Sequence, residues 1–258
     1  MTTRRIHIGT SGWSYDHWQG TFYPPGLAAN RRLAYYQRHF RTVEINSTFY
    51  SLPSADSLVR WYESTAEDFI FSVKASRYIT HMKKLRDPQR TVKEFINRVE
   101  VLRDKLGPIL FQLPPRWHIN AERLAAFLKR LPREHRYAVE FRDPSWFSPQ
   151  IYELLARHTV AFCIFDLDKR VSPMQVPADF AYIRLHGPLG PYQGRYDDRA
   201  LHDWAESITR WRLAGRDVFC YFDNDEAAHA VQDAQCLLAM LGNTRAEEGA
   251  KGRRERLR

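Results

Sequence analysis

The chain has 258 residues, 44% of them hydrophobic, and a formal net charge of +9 at neutral pH. Its length suits one (β/α)8 barrel, which typically needs about 250 residues, or two smaller domains. No run of about 18 uncharged apolar residues exists to span a bilayer, and residues 1–5 lack the apolar core of a signal peptide, so the expected compartment is the cytoplasm with no membrane partner.

In chain order, eight segments read as strands: 6–10, 42–46, 69–74, 109–113, 137–142, 160–166, 182–186 and 218–223. Helical patterns lie between them, at 31–40, 91–105, 121–131, 150–157 and 200–214. Another, at 227–241, follows the last strand, with Ala227, Val231, Ala234, Leu238 and Leu241 at helical spacing. Alternating strands and helices imply a parallel sheet, and eight such units closing on themselves give a single TIM-type barrel. The rival open sheet ordinarily carries G-x-G-x-x-G after its first strand, whereas residues 9–13 read Gly-Thr-Ser-Gly-Trp. The barrel domain is placed at 1–243. The remainder, 244–258, holds six basic and three acidic side chains without an apolar stripe and is expected to be a disordered tail. The three cysteines show no C-x-x-C spacing, which argues against a disulfide framework or thiolate zinc site.

Side chains alternate faces along a strand. Val43 and Ile45 share one face while Glu44 and Asn46 share the other. Val73 and Phe71 oppose Ser72 and Lys74, and Phe111 and Leu113 oppose Gln112. Val139 and Phe141 oppose Glu140 and Arg142, and Ile183 and Leu185 oppose Arg184 and His186. If the apolar set faces the helices, the polar set points inward, near the strand ends where barrel enzymes place their sites. Asp166 and Asp223 are expected to join this ring. Asn224, of opposite parity to Asp223, is kept as a further ligand-binding candidate. A buried ion-pair network is the alternative, since buried charges need partners.

Seven ordered motifs carry a resemblance. They are Ile8-Gly-Thr-Ser-Gly-Trp13, Val43-Glu-Ile-Asn-Ser-Thr-Phe-Tyr50, Phe71-Ser-Val-Lys74, Phe111-Gln-Leu-Pro-Pro115, Glu140-Phe-Arg142, Arg184-Leu-His-Gly187 and Tyr221-Phe-Asp-Asn-Asp225. In this order and spacing the chain resembles the YecE-like family, domain-of-unknown-function family 72, over about residues 6–241. The resemblance implies a (β/α)8 barrel and no established reaction. Nucleic-acid or DNA-repair roles follow only by analogy with endonuclease IV-like barrels. The last motif departs from the usual Phe-Asn-Asn, reading Phe222-Asp-Asn.

The inward set suits several chemistries. Glu44 and Glu140 approach from opposite sides, as a general acid and base would. His186 is placed to transfer protons, and Asp223 completes the catalytic candidates. Lys74, Arg142 and Arg184 offer positive charge to a phosphate or carboxylate, with Asn46 and Gln112 beside them. Rim loops add Trp13, Arg77 and Tyr192, suited to stacking on bases or sugars or to packing over the mouth. A divalent metal on Glu44, Glu140, His186 and Asp223 is weakly signalled, because no H-x-H or H-E-x-x-H spacing occurs. The expected function is an enzyme of hydrolase or isomerase type acting on a phosphorylated, sugar-like or nucleic-acid substrate. The alternative is a non-catalytic binder of nucleic acid or an anionic ligand.

Overall fold

Apolar alternation resolves into eight parallel barrel strands and one short extra strand. A computed structural model describes the backbone of residues 5–255 and the side chains of 5–242. The strands are β1 (Ile6–Thr10), β2 (Thr42–Ile45), β3 (Ile70–Lys74), β4 (Leu106–Gln112), β5 (Tyr137–Glu140), β6 (Ala161–Leu167), β7 (Arg170–Val171), β8 (Phe180–Leu185) and β9 (Asp217–Phe222). They hydrogen-bond in the order β1-β9-β8-β6-β5-β4-β3-β2, with β7 antiparallel to β6. The two ends of this path meet: Ser11 bridges Glu44, and the Gly12 amide donates to the Glu44 carbonyl at 2.8 Å. Gly9 permits this seam, because a Cβ there would lie 2.2 Å from the Thr42 carbonyl oxygen.

The α-helices are α1 (Arg32–Tyr36), α2 (Ala55–Ser64), α3 (Pro88–Val99), α4 (Ala121–Leu128), α5 (Pro149–Arg157), α6 (Asp198–Leu213) and α7 (His229–Glu255). Side-chain caps start three of them: Ser54, Asn120 and Asp197 accept from the amides of Ser57, Arg123 and Ala200. One connection is not helical, and one helix boundary differs from the sequence expectation. Between β6 and β8 the chain makes the small β6–β7 hairpin and a loop in place of a helix. The last helix starts at His229, since Ala227 and Ala228 adopt left-handed backbone, φ 51° and 60°. The disordered tail expected at 244–258 falls on residues whose side chains, and at 256–258 the backbone too, lie outside the described residues.

The outward strand residues Val43, Ile45, Phe71, Val73, Phe111, Val139 and Ile183 belong to one large apolar core beneath the helices. A second, smaller core fills the barrel: Leu110, Ala138, Cys163, Phe180, Tyr182, Phe219 and Tyr221. Tyr221 shares hydrogen bonds of 2.7 Å with the hydroxyls of Thr42 and Ser72. This plug closes the interior from below, so inward side chains above it reach only the C-terminal mouth. No described helix is long and apolar enough to cross a membrane.

Candidate functional site

Directly above the plug lies a charge cluster centred on Arg184, which is fully buried. Its Nε donates to both oxygens of Glu44 at 3.1 Å, and Nη2 reaches Glu44 Oε2 at 2.9 Å. Nη1 meets Glu140 Oε2 at 3.0 Å, and Nη2 meets Asp223 Oδ2 at 2.8 Å. Carboxylates from β2, β5 and the end of β9 thus converge on one guanidinium from β8. Glu44 also accepts from Ser11 Oγ at 2.6 Å and the Tyr182 hydroxyl at 2.7 Å. Burial opposes ionisation of Glu140, but the Arg142 and Arg184 guanidiniums outweigh it and hold its carboxyl well below the usual range.

Arg142 hydrogen-bonds Glu140 through Nε, lies over the Phe165 ring at 5.3 Å, and places Nη2 3.2 Å from His186 Nε2. Arg184 Nη1 is 3.4 Å from the same nitrogen. Guanidiniums only donate, so Nε2 carries the lone pair and the ring's proton sits on Nδ1. That atom is 3.0 Å from Asp223 Oδ2 without being aligned for a hydrogen bond. Burial and the two arginines push the His186 pKa well below its ordinary value. Asp223 moves the other way: burial raises it, against the pull of Arg184. Tyr192, at φ 67°, sets its ring edge-on to His186 at 5.6 Å.

Lys74 stands apart from these pairs. It is 8% exposed, and its Nζ lies 4.5 Å from the centre of the Phe49 ring. Among the described residues its Nζ has no hydrogen-bond or ion-pair partner, although its carbonyl accepts from Thr48 Oγ1 at 2.6 Å. Burial, reinforced by Arg184, lowers its pKa to about 8. Phe49 also meets the His81 ring edge-on at 5.0 Å. His81 sits in a π-helical turn, Tyr78–Met82, and burial with nearby Lys74, Arg77 and Arg142 lowers its pKa to about 4. Asn46 joins the cluster through its amide, 3.3 Å from Asp223 Oδ1. It also lines an adjoining aromatic cleft of about 330 Å³ with Trp13, Tyr15, Tyr50 and Trp61.

The structure therefore brings together Glu44, Asn46, Glu140, Arg142, Arg184, His186, Tyr192 and Asp223, with Lys74 close enough to act on their titration. Gln112 ends β4, partly exposed and bonded only weakly to the Leu113 carbonyl. Trp13 walls the cleft and packs against Trp61 at 4.9 Å. Arg77 is exposed on the rim. Two residues fall elsewhere. Asn224 turns away from the mouth and donates to the Gly194 carbonyl and Asp233 Oδ2, both at 2.8 Å. Asp166 does not join the ring, because Ala161 and Cys163 are the inward residues of β6 and Phe165 shares their face. Sequence reasoning passes over Ser11, Tyr182 and Phe165, and counts Phe49 only among the aromatics of the rim loops. Of these, Tyr182 was accessible, since it lies two residues before Arg184 on the same face.

Glu44, Glu140, His186 and Asp223 do not fit a divalent ion. Arg184 occupies their point of convergence, and the lone pair on His186 Nε2 faces two guanidiniums. Elsewhere among the described residues, His202, Asp203 and Glu206 lie close enough to share an ion, but they are exposed on the outer helix α6.

Known proteins are similar to this chain. The UPF0759 protein YunF of Bacillus subtilis is 28% identical, the match covering 92% of this chain and 94% of YunF. The UPF0759 protein YecE of Escherichia coli K12 is 36% identical over 152 residues, which are 55% of this chain and half of YecE. A crystallised DUF72 family protein from Thermotoga maritima is 30% identical and superposes with a TM-score of 0.83, covering 92% of this chain and 99% of the other. The family model described as "Protein of unknown function DUF72" matches residues 7–256, and the chain belongs to that family.

Proposed function

We propose that the barrel mouth binds a small phosphorylated or sugar-like anion and that the protein is an enzyme acting on it. The observation that carries this reading is the pair of cationic groups left over once the cluster is satisfied. Arg142 Nη1 has no hydrogen-bond partner among the described residues, and Lys74 Nζ has only an aromatic ring beneath it. Every carboxylate nearby is already committed to Arg184 or Arg142. An incoming anion would supply the missing partner. The aromatic cleft beside Asn46 suits the uncharged portion of such a ligand, since sugars and bases stack on aromatic faces.

The geometry also shifts the expected roles. Glu44 and Glu140 are spent positioning Arg184 and Arg142, so a direct acid–base part for them is not favoured. Lys74 and Asp223, with pKa values moved toward neutrality, are better matched to proton transfer. A panel of sugar phosphates, nucleotides and apurinic DNA, scored for binding and turnover, tests the proposal. Arg142→Ala should weaken binding of a phosphorylated ligand by about tenfold or more, as loss of a charge-assisted hydrogen bond does. Unchanged affinity would remove Arg142 from the site. Binding confined to DNA and lost steeply with salt would favour the second reading, a nucleic-acid binder, which the aromatic cleft and the +9 charge also support.

A further inference from the structure

Two lysines among the described residues are buried, and the fold treats them differently. Lys105 Nζ donates to the carbonyls of Tyr62 and Thr65 and to Thr65 Oγ1, the latter two at 2.8 and 3.2 Å. Its three donors therefore have three acceptors. Lys74 is buried to a similar degree at the end of β3, yet no acceptor from the described residues reaches it. Its one close partner is the Phe49 ring, which favours the ammonium less than an oxygen would. Groups facing it from the surrounding strands are mixed in sign: Glu44, Glu140 and Asp223 against Arg184, which outweighs each carboxylate singly. His81 and Arg142 complete the neighbourhood. An amine desolvated beside other cations is the arrangement by which lysine becomes a nucleophile.

We propose that Lys74 is a carbonyl-reactive amine and that the ligand class of this site is an anionic aldehyde or ketone, such as a sugar phosphate in its open form. This rests on the anion-binding reading above, with Arg142 holding the anionic group while Lys74 meets the carbonyl carbon. The Nζ lone pair adds to that carbon, the carbonyl oxygen leaves as water carrying both amine hydrogens, and a C=N bond remains. A proton from solvent then gives the iminium. No oxidant or reductant is needed. The cation so formed keeps the positive charge that the surrounding carboxylates balance, so the cluster accommodates product as well as starting amine. A ligand engaged this way would be activated for isomerisation or for cleavage beside the carbonyl.

The test uses pyridoxal 5′-phosphate, an aldehyde that carries a phosphate, followed by borohydride reduction and peptide mapping of the intact wild-type protein. Lys74 should be labelled about tenfold faster than exposed Lys84, Lys129 and Lys169 at pH 7.5. Its rate should level off above about pH 8, while theirs keeps rising toward the ordinary lysine range. Lys74→Arg should lose the fast label. Binding of inorganic phosphate to the wild-type protein, measured separately by calorimetry, reports the anion reading by itself. Phosphate binding with no preferential label at Lys74 overturns the amine proposal and leaves the anion reading standing. Fast labelling without phosphate binding supports the amine and overturns the anion reading.

Discussion

Arg184 grips Glu44 from two of its nitrogens, Nε and Nη2, at 2.9 to 3.1 Å, with both side chains wholly out of solvent. The pair is the centre of the cluster, since the same guanidinium also holds Glu140 and Asp223. Removing it leaves three buried carboxylates without their shared counter-charge. Arg184→Met should therefore cost about 3–5 kcal/mol in urea unfolding, the usual penalty for breaking a buried pair from one side. Arg184→Lys should recover little, because a single ammonium cannot span three carboxylates in the plane a guanidinium does. Adding Glu140→Gln to Arg184→Met should restore part of the loss. A neutral outcome for Arg184→Met would mean that water or backbone donors replace the arginine.

Asn46 and Asn224 separate ligand contact from scaffold. Asn224 ties the loop at Gly194 to Asp233 on α7, and Asp233 in turn accepts from the Tyr196 amide at 3.1 Å. Asn224→Ala strands buried partners and should lower stability by about 1–3 kcal/mol, with the effect on ligand affinity arising only through the loop. Asn46→Ala touches the mouth and the cleft, so it should change affinity for a phosphorylated ligand with a smaller effect on thermal unfolding. Equal losses of stability in both variants would erase that distinction.

The fold and most of the cluster were legible because five strands wear different chemistry on their two faces. Glu44, Lys74, Gln112, Glu140 and Arg184 announce their direction through the apolar residues that flank them. β6 carries no such contrast. Its inward residues Ala161 and Cys163 are as apolar as the outward Phe162 and Ile164, so parity could not be read and Asp166 was assigned to the wrong face. Pairing within the cluster was also out of reach. Alternation places Glu44 and Arg184 on one axis, but distance alone decides that they satisfy each other and leave Lys74 without an acceptor. The absent helix between β6 and β8 follows from a segment too short and polar to carry an apolar stripe.

At the opposite end of the barrel, His7 stacks on Phe219 with ring centres 4.6 Å apart. Burial, against the attraction of Asp217, lowers its pKa from 6.5 to about 4. Between those two values the unfolded chain binds a proton that the folded chain refuses. The stability linked to His7 is therefore full above about pH 6.5 and is lost as pH falls toward 4. His81 behaves in the same direction but is more exposed, and solvent screening weakens its share. Equilibrium unfolding at pH 7 and pH 5 should show the wild-type protein weaker at pH 5, and His7→Phe should reduce that difference. An unchanged pH slope in the variant would place the sensitivity elsewhere.

Gly12 holds the aromatic cleft open by being a glycine. Its φ is +89°, and a Cβ there would approach the Tyr15 hydroxyl to 2.5 Å. That hydroxyl donates to the Ser11 carbonyl at 2.6 Å, and the next residue in the turn, Trp13, walls the cleft. Gly12→Ala thus imposes two costs, a left-handed backbone unfavourable to alanine and displacement of Tyr15. Together these should lower stability by about 1–3 kcal/mol. Because Ser11 Oγ also donates to Glu44, movement of this turn should reach the charge cluster as well. Phosphate affinity is then expected to fall in Gly12→Ala more than in Tyr15→Phe, which removes one hydrogen bond and leaves the turn's backbone unstrained. Calorimetric titration of the two variants against inorganic phosphate decides the order, and equal affinities would show that the cleft and the cluster act independently.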